Sequence, residues 1–168
     1  LSSRAPRLSV VTLLASLAMG TVVTAYADIF HRATGEVIPG TEGITPGPGV
    51  QLDHRELEFA RLDDMNLTDA NFEKSNLANA WLFSSTLIRA NLMGANLANA
   101  DLGSSTLNSA NLIGANLADA YMSFSRLTSA NLMGANLANA NMYSSRFTSA
   151  NLTGANLANA QLGACTLR

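Results

Sequence analysis

The chain has few of the residues from which catalytic sites are usually built. Its 168 residues include two histidines, one cysteine and one tryptophan, and 13% of them are charged. A single cysteine, Cys165, excludes a disulfide within the chain. No Gly-rich phosphate loop and no His/Cys/Asp cluster with metal-ligand spacing occurs. We therefore expect no enzyme activity, no cofactor, no metal site and no catalytic residue.

The two histidines do not alter this expectation. His31 and His54 have no Ser or Cys at a spacing typical of nucleophilic catalysis. Asp63, Asp64 and Asp69 are close in sequence, but they occupy positions that we expect to face solvent.

What the chain does contain is a five-residue repeat. Every fifth residue from Leu52 to Leu167 is Leu, Phe or Met, which makes twenty-four large apolar residues in one register. On an α-helix a step of five residues rotates the side chain by about 140°, so these residues would scatter around the helix. On a straight strand the same step reverses the face each time. The side chains reach one core only if the backbone itself turns every five residues.

A second period of twenty residues sets the angle of that turn. Glycine recurs at 94, 114, 134 and 154, and serine recurs at 85, 105, 125 and 145. Four five-residue units per period imply four turns of about 90°, so that equivalent residues stack as parallel strands about 4.8 Å apart. The position two residues before each large apolar residue is Ala or Ser in most units. It predicts a second, small inward slot.

Tandem units of the form A-[N/D]-L-x-x resemble the pentapeptide-repeat proteins. The resemblance covers residues 50–167, about 70% of the chain. It implies an all-β fold: a right-handed quadrilateral parallel β-helix of about six coils. The first coil fits least well, because Arg55 and Met65 occupy the small slot and His54, Glu56 and Glu58 add charge.

The sequence divides into three segments. Residues 1–27 read as a signal peptide, with Arg4 and Arg7, an apolar run over residues 8–23 and an A-x-A site ending at Ala27. This predicts export to the periplasm, the extracellular space or an equivalent lumen. The alternative is a retained membrane anchor formed by residues 8–23. Residues 28–49 predict an N-terminal cap with a small hairpin around residues 33–35, or else a flexible linker, and residues 50–168 form the β-helix.

Asparagine precedes the large apolar residue in many units, where stacked amides would hydrogen-bond from coil to coil. We expect two such ladders, and we interpret both as structural: Asn91, Asn111, Asn131 and Asn151 in one, and Asn96, Asn116, Asn136 and Asn156 in the other.

One side of the square departs from the repeat pattern at its outward positions. Its outward positions carry the candidate protein-contact residues Trp81, Phe83, Tyr121, Phe124 and Tyr143. Exposed aromatic residues gathered on one face are typical of an interaction surface. The alternatives are scattered surface residues, or a Trp81 that packs under the cap.

The last coil is a second candidate contact. Its apolar residues would be partly open, and we expect end-to-end self-association through Leu157, Leu162, Cys165 and Leu167. The alternative is a soluble monomer. Cys165 is either a buried small residue or a thiol that cross-links two molecules in an oxidising compartment.

These observations favour an exported, non-catalytic structural or protein-interaction module, with no nucleic-acid partner and a membrane partner only if the anchor is retained. The family resemblance implies an alternative, a DNA-mimicking binder of a type II topoisomerase. That mimicry needs a strongly negative surface. The chain from Asp28 onward carries 12 acidic and 8 basic residues, and from Ser85 onward the balance is positive. Ice binding is disfavoured because Arg126 and Arg146 interrupt the threonine row begun by Thr86 and Thr106.

Overall fold

The computed structural model describes residues 28–167, so the predicted signal segment and Arg168 lie outside the described residues. Within 28–167 the backbone pairs through isolated bridges, with neither a helix nor an extended strand. The prediction that successive coils pair as parallel strands is wrong in this detail, because the pairing consists of isolated bridges. Each side of the square contributes one bridging residue, because the next corner begins immediately after the large apolar residue. None of the described residues belongs to a helix long and apolar enough to cross a membrane.

Parallel bridges join residues that are twenty positions apart. They run from Gln51↔Asn71 to Arg146↔Thr166 without a break in register. We name the resulting coils 1 to 6, with ranges 50–69, 70–89, 90–109, 110–129, 130–149 and 150–167. Faces 1 to 4 follow the chain within each coil, so face 3 carries the units centred on residues 62, 82, 102, 122, 142 and 162. Equivalent positions therefore stack in columns, as the twenty-residue period predicts.

Each corner is a tight turn with one left-handed residue. The carbonyl of the large apolar residue accepts the N–H of the residue three positions later, as in Ala120 to Leu117 at 3.1 Å. The third turn residue has φ near +60°, for example +58° at Asp119 and +62° at Phe124. A positive φ at this position is the signature of a type II turn. Glycine occupies it at the corner after face 1 in coils 3 to 6, whereas His54 and Lys74 occupy that corner in coils 1 and 2 and the corners after the other faces hold residues with a side chain.

The core is a column of large side chains lined by a column of small ones. Leu112 and Leu132, one coil apart on face 1, are both completely buried, which confirms the predicted register. Serines in the small slot donate their hydroxyls to core carbonyls, as Ser85 does to Leu62 at 2.6 Å. Each buried polar side-chain atom of the described residues has a hydrogen-bond partner. Polar small residues are therefore tolerated inside without an unpaired group.

The two asparagine ladders differ. On face 2, amide groups link Asn76 to Asn156 through every coil at 3.0–3.1 Å. On face 1, the side-chain bonds join Asn71, Asn91 and Asn111, and no such bond is found between Asn111 and Asn131 or above. The predicted second half of this ladder is absent from the described coils, although Asn131 accepts the N–H of Met133 at 3.2 Å, just as Asn91 and Asn111 accept the N–H groups of Met93 and Ile113.

The N-terminal segment, 28–49, packs against coil 1. Phe30 and Val37 form an antiparallel bridge, and His31 forms another with Ala60 on face 3. Ile29 and Ile38 are buried in the same core cluster as the leucines of the coils. The N–H of Arg61, which has no lower coil to bond, donates to the carbonyl of Phe30 at 2.8 Å.

Candidate interaction surface

All five predicted contact residues lie on face 3 and the corner that follows it. We call this set the aromatic face. Its side chains are 41–58% exposed, and they account for five of the seven exposed large hydrophobic residues among the described part of the chain. The set occupies coil 2 with Trp81 and Phe83, coil 4 with Tyr121 and Phe124, and coil 5 with Tyr143.

Two tyrosine rings of the aromatic face lie against glycines of a neighbouring coil. A Cβ added at Gly103 would come within 2.8 Å of Cε1 of Tyr121, and one at Gly163 within 3.0 Å of Cδ2 of Tyr143. Neither glycine has a left-handed φ, so it is space and not backbone conformation that these positions require. The ring of Tyr121 thus leans back over coil 3, and that of Tyr143 leans forward over coil 6.

Phe124 completes this part of the surface. Its ring meets Tyr143 edge-on, with 6.0 Å between centroids and planes at 80°. That is a favoured geometry for aromatic pairs. Ser123 is buried beside these residues, and its hydroxyl donates to the amide oxygen of Asn141 at 2.9 Å. The aromatic side chains are therefore held in place by their neighbours while half of their area faces solvent.

The N-terminal segment reaches the lower end of the aromatic face. The guanidinium of Arg32 lies 4.9 Å from the ring centroid of Trp81 and 5.7 Å from that of Phe59. A cavity of about 420 Å³ opens below Trp81. It is lined by Asp28, Phe30, His31, Arg32, Gly35, Arg61, Asp63 and Met65. Trp81 thus contacts the N-terminal segment, as one alternative expected, yet remains 41% exposed.

The charged residues near this surface are mostly engaged. Nε of Arg61 donates to Asp63 at 3.2 Å, on face 3 of coil 1. At the corner after face 4, Arg89 forms a two-point ion pair with Asp69 at 2.6 and 2.7 Å. The hydrogen bond from Arg89 holds the pKa of Asp69 below its usual value, and the pair raises the pKa of the guanidinium. Because both side chains are exposed, the pair is screened and contributes little to stability.

The two histidines contact neighbouring residues. Nδ1 of His31 accepts the backbone N–H groups of Ala33 and Thr34, both at 3.3 Å. His54 contacts the neighbouring Asp53 at 3.2 Å on an exposed corner. No group of three His, Cys, Asp or Glu residues in these residues is arranged to hold a metal ion.

The sixth coil, the last that the structure describes, is only partly covered. Leu157 and Leu162 are half-buried, and Leu167 is 53% exposed. Cys165 is also half-buried, between the two expected alternatives, and its thiol donates to the carbonyl of Met142 at 2.8 Å. Burial raises the pKa of this thiol, so the reactive thiolate is scarce at neutral pH.

Several features of this surface had only weak sequence signals. Gly103 and Gly163 occupy a slot directly after a large apolar residue where glycine is rare, which hints at close packing but does not identify the tyrosine involved. The contact of Arg32 with Trp81 has no sequence signal, because it depends on how the N-terminal segment docks.

Comparisons with known proteins agree with the geometry. The sequence profile described as pentapeptide repeats matches in eight copies, over residues 56–87, 90–128 and 130–168. None of the curated proteins matches the chain.

Solved structures that match this chain include two from cyanobacteria. HetL from Nostoc sp. strain PCC 7120, a pentapeptide repeat protein involved in heterocyst differentiation regulation, is 30% identical over 70% of this chain, with a TM-score of 0.47. This chain spans 60% of the length of HetL. The pentapeptide repeat protein Rfr23 from Cyanothece 51142 is 26% identical over 71% of this chain and 89% of its own, with a TM-score of 0.34.

A third similar structure is QnrB1, a plasmid-mediated fluoroquinolone resistance protein, in a trypsin-treated form. It is 16% identical over 70% of each chain, with a TM-score of 0.36. The profile match extends over well over half of the sequence and coincides with the stacked coils. The protein therefore belongs to the pentapeptide-repeat family.

Proposed function

We propose that this protein is an exported, non-catalytic interaction module that contacts a partner protein through the aromatic face. The observation that carries the proposal is the grouping of five half-exposed aromatic side chains on one side of an otherwise uniform solenoid. Such residues are enriched at the centres of protein interfaces.

A structural role for the N-terminal segment is part of this proposal. We take residues 28–49 to be a cap on a solenoid of six coils. Ile29 and Thr41 are fully buried, and the hydroxyl of Thr41 donates to the carbonyl of Ile38 at 2.7 Å. These contacts cover the apolar end of coil 1, which would otherwise face water. A cap leaves the sides of the solenoid as the surfaces for binding.

Export is proposed from the sequence of residues 1–27, which lie outside the described residues. N-terminal sequencing of the protein from its source cells tests it. A mature chain that begins at Asp28 in a periplasmic, extracellular or lumenal fraction supports export. A chain that still contains residues 8–23 and sediments with membranes supports the retained anchor instead.

The sixth coil is a second candidate contact, because Leu167 is 53% exposed and a cavity of about 180 Å³ lies beside it. End-to-end association through Leu157, Leu162, Cys165 and Leu167 would cover these side chains. Mutation of Leu167 to Asp tests this contact, since a buried charge would prevent association there.

Charge disfavours mimicry of DNA for a type II topoisomerase. Between residues 85 and 167 the acidic residues are Asp101 and Asp119, against Arg89, Arg126 and Arg146. A surface that imitates two phosphate strands needs a dense negative charge, which these coils lack. Our proposal therefore does not include the fluoroquinolone resistance named for QnrB1.

Photo-crosslinking tests the proposed contact face. A benzoylphenylalanine is placed at Tyr121 or Tyr143, and in a control at Asn99, an exposed position on the corner after face 2. Irradiation of the source cell envelope and secreted fraction, followed by mass spectrometry, identifies the partner. We expect one protein to be crosslinked from the two tyrosine positions and not from the control. Equal crosslinking at all three positions, or none, would overturn the proposal.

A further inference from the structure

Two arginines at the start of face 4 have no partner among residues 28–167. Arg126 in coil 4 and Arg146 in coil 5 are exposed, and a parallel bridge stacks them roughly 4.8 Å apart. Neither side chain forms an ion pair with a described carboxylate. The other described arginines contact a ring, a carbonyl or a carboxylate: Arg32 on Trp81, Arg55 on Gly40, Arg61 on Asp63 and Arg89 on Asp69.

This stacking of two positive charges opposes folding. Like charges directly opposite each other on paired backbone segments are destabilising. Thr86, Thr106 and Thr166 occupy the same column in coils 2, 3 and 6, so a neutral side chain fits this position. In the equivalent column of face 2, asparagine amides bond from coil to coil, whereas two guanidinium groups repel each other. An anion bound between the two arginines would remove this repulsion.

Two side chains of the aromatic face lie beside the arginine pair. Phe124 precedes Arg126 by two residues and Tyr143 precedes Arg146 by three, at the corner between faces 3 and 4. Extended chain of these lengths spans at most about 7 Å and 11 Å. Phe124 is 58% exposed and Tyr143 is 50% exposed, and their rings meet edge-on. We call these four residues the basic corner, because they join two exposed rings to two unpaired positive charges on neighbouring coils.

The described surface around the basic corner carries no carboxylate. The carboxylates of coils 3 to 6 are Asp101 and Asp119, and both lie toward the opposite edge of face 3. Asp101 is bridged to Tyr121, and its Oδ1 accepts the N–H of Gly103 at 3.0 Å. Asp119 occupies the corner between faces 2 and 3 in coil 4. The aromatic face is therefore acidic along its edge with face 2 and basic along its edge with face 4.

From the basic corner we infer that the partner of the aromatic face is an acidic protein segment. It places two neighbouring carboxylates against Arg126 and Arg146, and an apolar or aromatic side chain against Phe124 and Tyr143. The inference rests on the proposed function, because it uses the same surface and names the chemistry of its partner. Arginine is enriched at protein interfaces, and its planar guanidinium binds a carboxylate through two parallel hydrogen bonds. The spacing of the arginines also matches carboxylates three or four residues apart on a helix, whose Cβ atoms are about 5–6 Å apart.

Phosphate-bearing partners also carry negative charge, but the charge of the whole chain opposes them. Residues 28–168 include 12 acidic and 8 basic residues. Affinity for nucleic acid depends on several phosphate contacts along the strand, and anionic bilayers attract clusters of basic residues. Two arginines on a chain of net negative charge instead fit a local contact with a few carboxylates, where complementary charge determines specificity.

An NMR titration of the full ¹⁵N-labelled chain tests the inference with a defined probe. The probe is the synthetic peptide Glu-Glu-Tyr-Glu-Glu-Tyr-Glu-Glu, and the matched neutral peptide has glutamine in place of each glutamate. We expect the glutamate peptide to shift the backbone amide signals of the basic corner. Arg126→Gln and Arg146→Gln should each raise its dissociation constant about two- to fivefold, the range for exposed ion pairs. Arg89→Gln removes the same charge from coil 2 and should leave the dissociation constant unchanged.

A stability measurement separates binding from a structural role of the arginines. Arg126→Thr introduces the residue that fills this column in coil 3. Because the substitution removes the repulsion between Arg126 and Arg146, we expect the urea midpoint to stay the same or to rise. The same variant should bind the glutamate peptide about two- to fivefold more weakly.

Five results would overturn the inference. The first is an absence of shifts at the basic corner. The second is a glutamine peptide that binds as tightly as the glutamate peptide. The third is a loss of affinity in Arg89→Gln equal to that in Arg126→Gln. The fourth is a lower urea midpoint for Arg126→Thr, which would assign the arginines to the fold. The fifth is tighter binding of duplex DNA or phosphatidylglycerol vesicles at the same salt concentration, lost in Arg126→Gln, which would assign the corner to phosphate.

The proposed function is tested separately by the crosslinks from Tyr121 and Tyr143. If these crosslinks identify one protein, and their yield is unchanged in Arg126→Gln and Arg146→Gln, the contact through the aromatic face stands and the acidic partner is refuted. If the crosslinks fail as described above, the contact itself is refuted. The two failures are therefore distinguishable.

Discussion

Leu132→Ala is the substitution that tests most directly how the solenoid is stabilised. Leu132 is completely buried on face 1 of coil 5. The wall around it is tied to the coils below and above by bridges at Asn131, which pairs with Asn111 and Asn151. Because this wall cannot collapse into the space left by a leucine, we expect a cost in the upper part of the usual range, about 3–5 kcal/mol of the free energy of unfolding.

The next residue supplies a matched control. Met133 is similar in size to Leu132 but is 43% exposed on the outer surface. Full burial of a methionine side chain contributes about 1.5–3 kcal/mol, so Met133→Ala is expected to cost about 1 kcal/mol. Urea unfolding of both variants, followed by circular dichroism and by the fluorescence of Trp81, measures the difference. Both probes must show one transition, since repeat proteins can unfold in parts.

Equal losses for Leu132→Ala and Met133→Ala would refute the reasoning. They would mean that the five-residue register does not separate inside from outside, or that the core relaxes freely. A large loss of unfolding free energy for Leu132→Ala, with an unchanged slope of that free energy against urea concentration, would show that the whole stack unfolds as one unit.

Three further predictions follow from single contacts. Gly103→Ala should push the ring of Tyr121 away from coil 3, and a crystal structure or the NMR chemical shifts of the tyrosine ring should show the displacement. Gly47→Ala, at a position with open space around it, should leave the Tyr121 ring in place. Arg89 lowers the folded-state pKa of Asp69, so their pair stabilises the fold at a pH above the ordinary carboxyl pKa. This contribution is lost as the pH falls through the lowered pKa. The free energies of unfolding of wild type and Arg89→Ala should therefore converge in acid. Alkylation of Cys165 at neutral pH should be slower than that of a free thiol and should recover as the pH rises, whereas an unchanged rate would contradict the raised pKa.

The periodic part of the structure could be predicted from sequence because it depends on local repetition. The inward slots of Leu112 and Leu132 and the grouping of the aromatic residues follow from counting in fives and twenties. The corners could not be predicted in the same way. Phe124 and Asp119 adopt left-handed φ, which is unfavourable for residues with a Cβ and is imposed here by the bonds of the coils on either side.

Non-repetitive contacts were also beyond the sequence. The antiparallel pairing of His31 with Ala60 joins segments of unlike composition, and no pattern in either segment specifies the other. The end of the face 1 ladder at Asn111 had no signal, because Asn131 occupies the same slot in the repeat and accepts the same kind of backbone N–H bond as Asn111.

The twenty-residue bridge register also limits how this chain can change its length. Since each residue pairs with the one twenty positions away, a duplication of a whole coil lengthens the solenoid and leaves every column intact. Insertion of a single five-residue unit keeps the leucines inside but rotates everything beyond it by a quarter turn. Placed between Phe83 and Tyr121, such an insertion would carry Tyr121, Phe124 and Tyr143 to a different side. The fold would survive, but the aromatic face would be divided between two sides. Variation of the length in steps of five residues therefore changes which side chains lie together, and with them what this side of the molecule can bind.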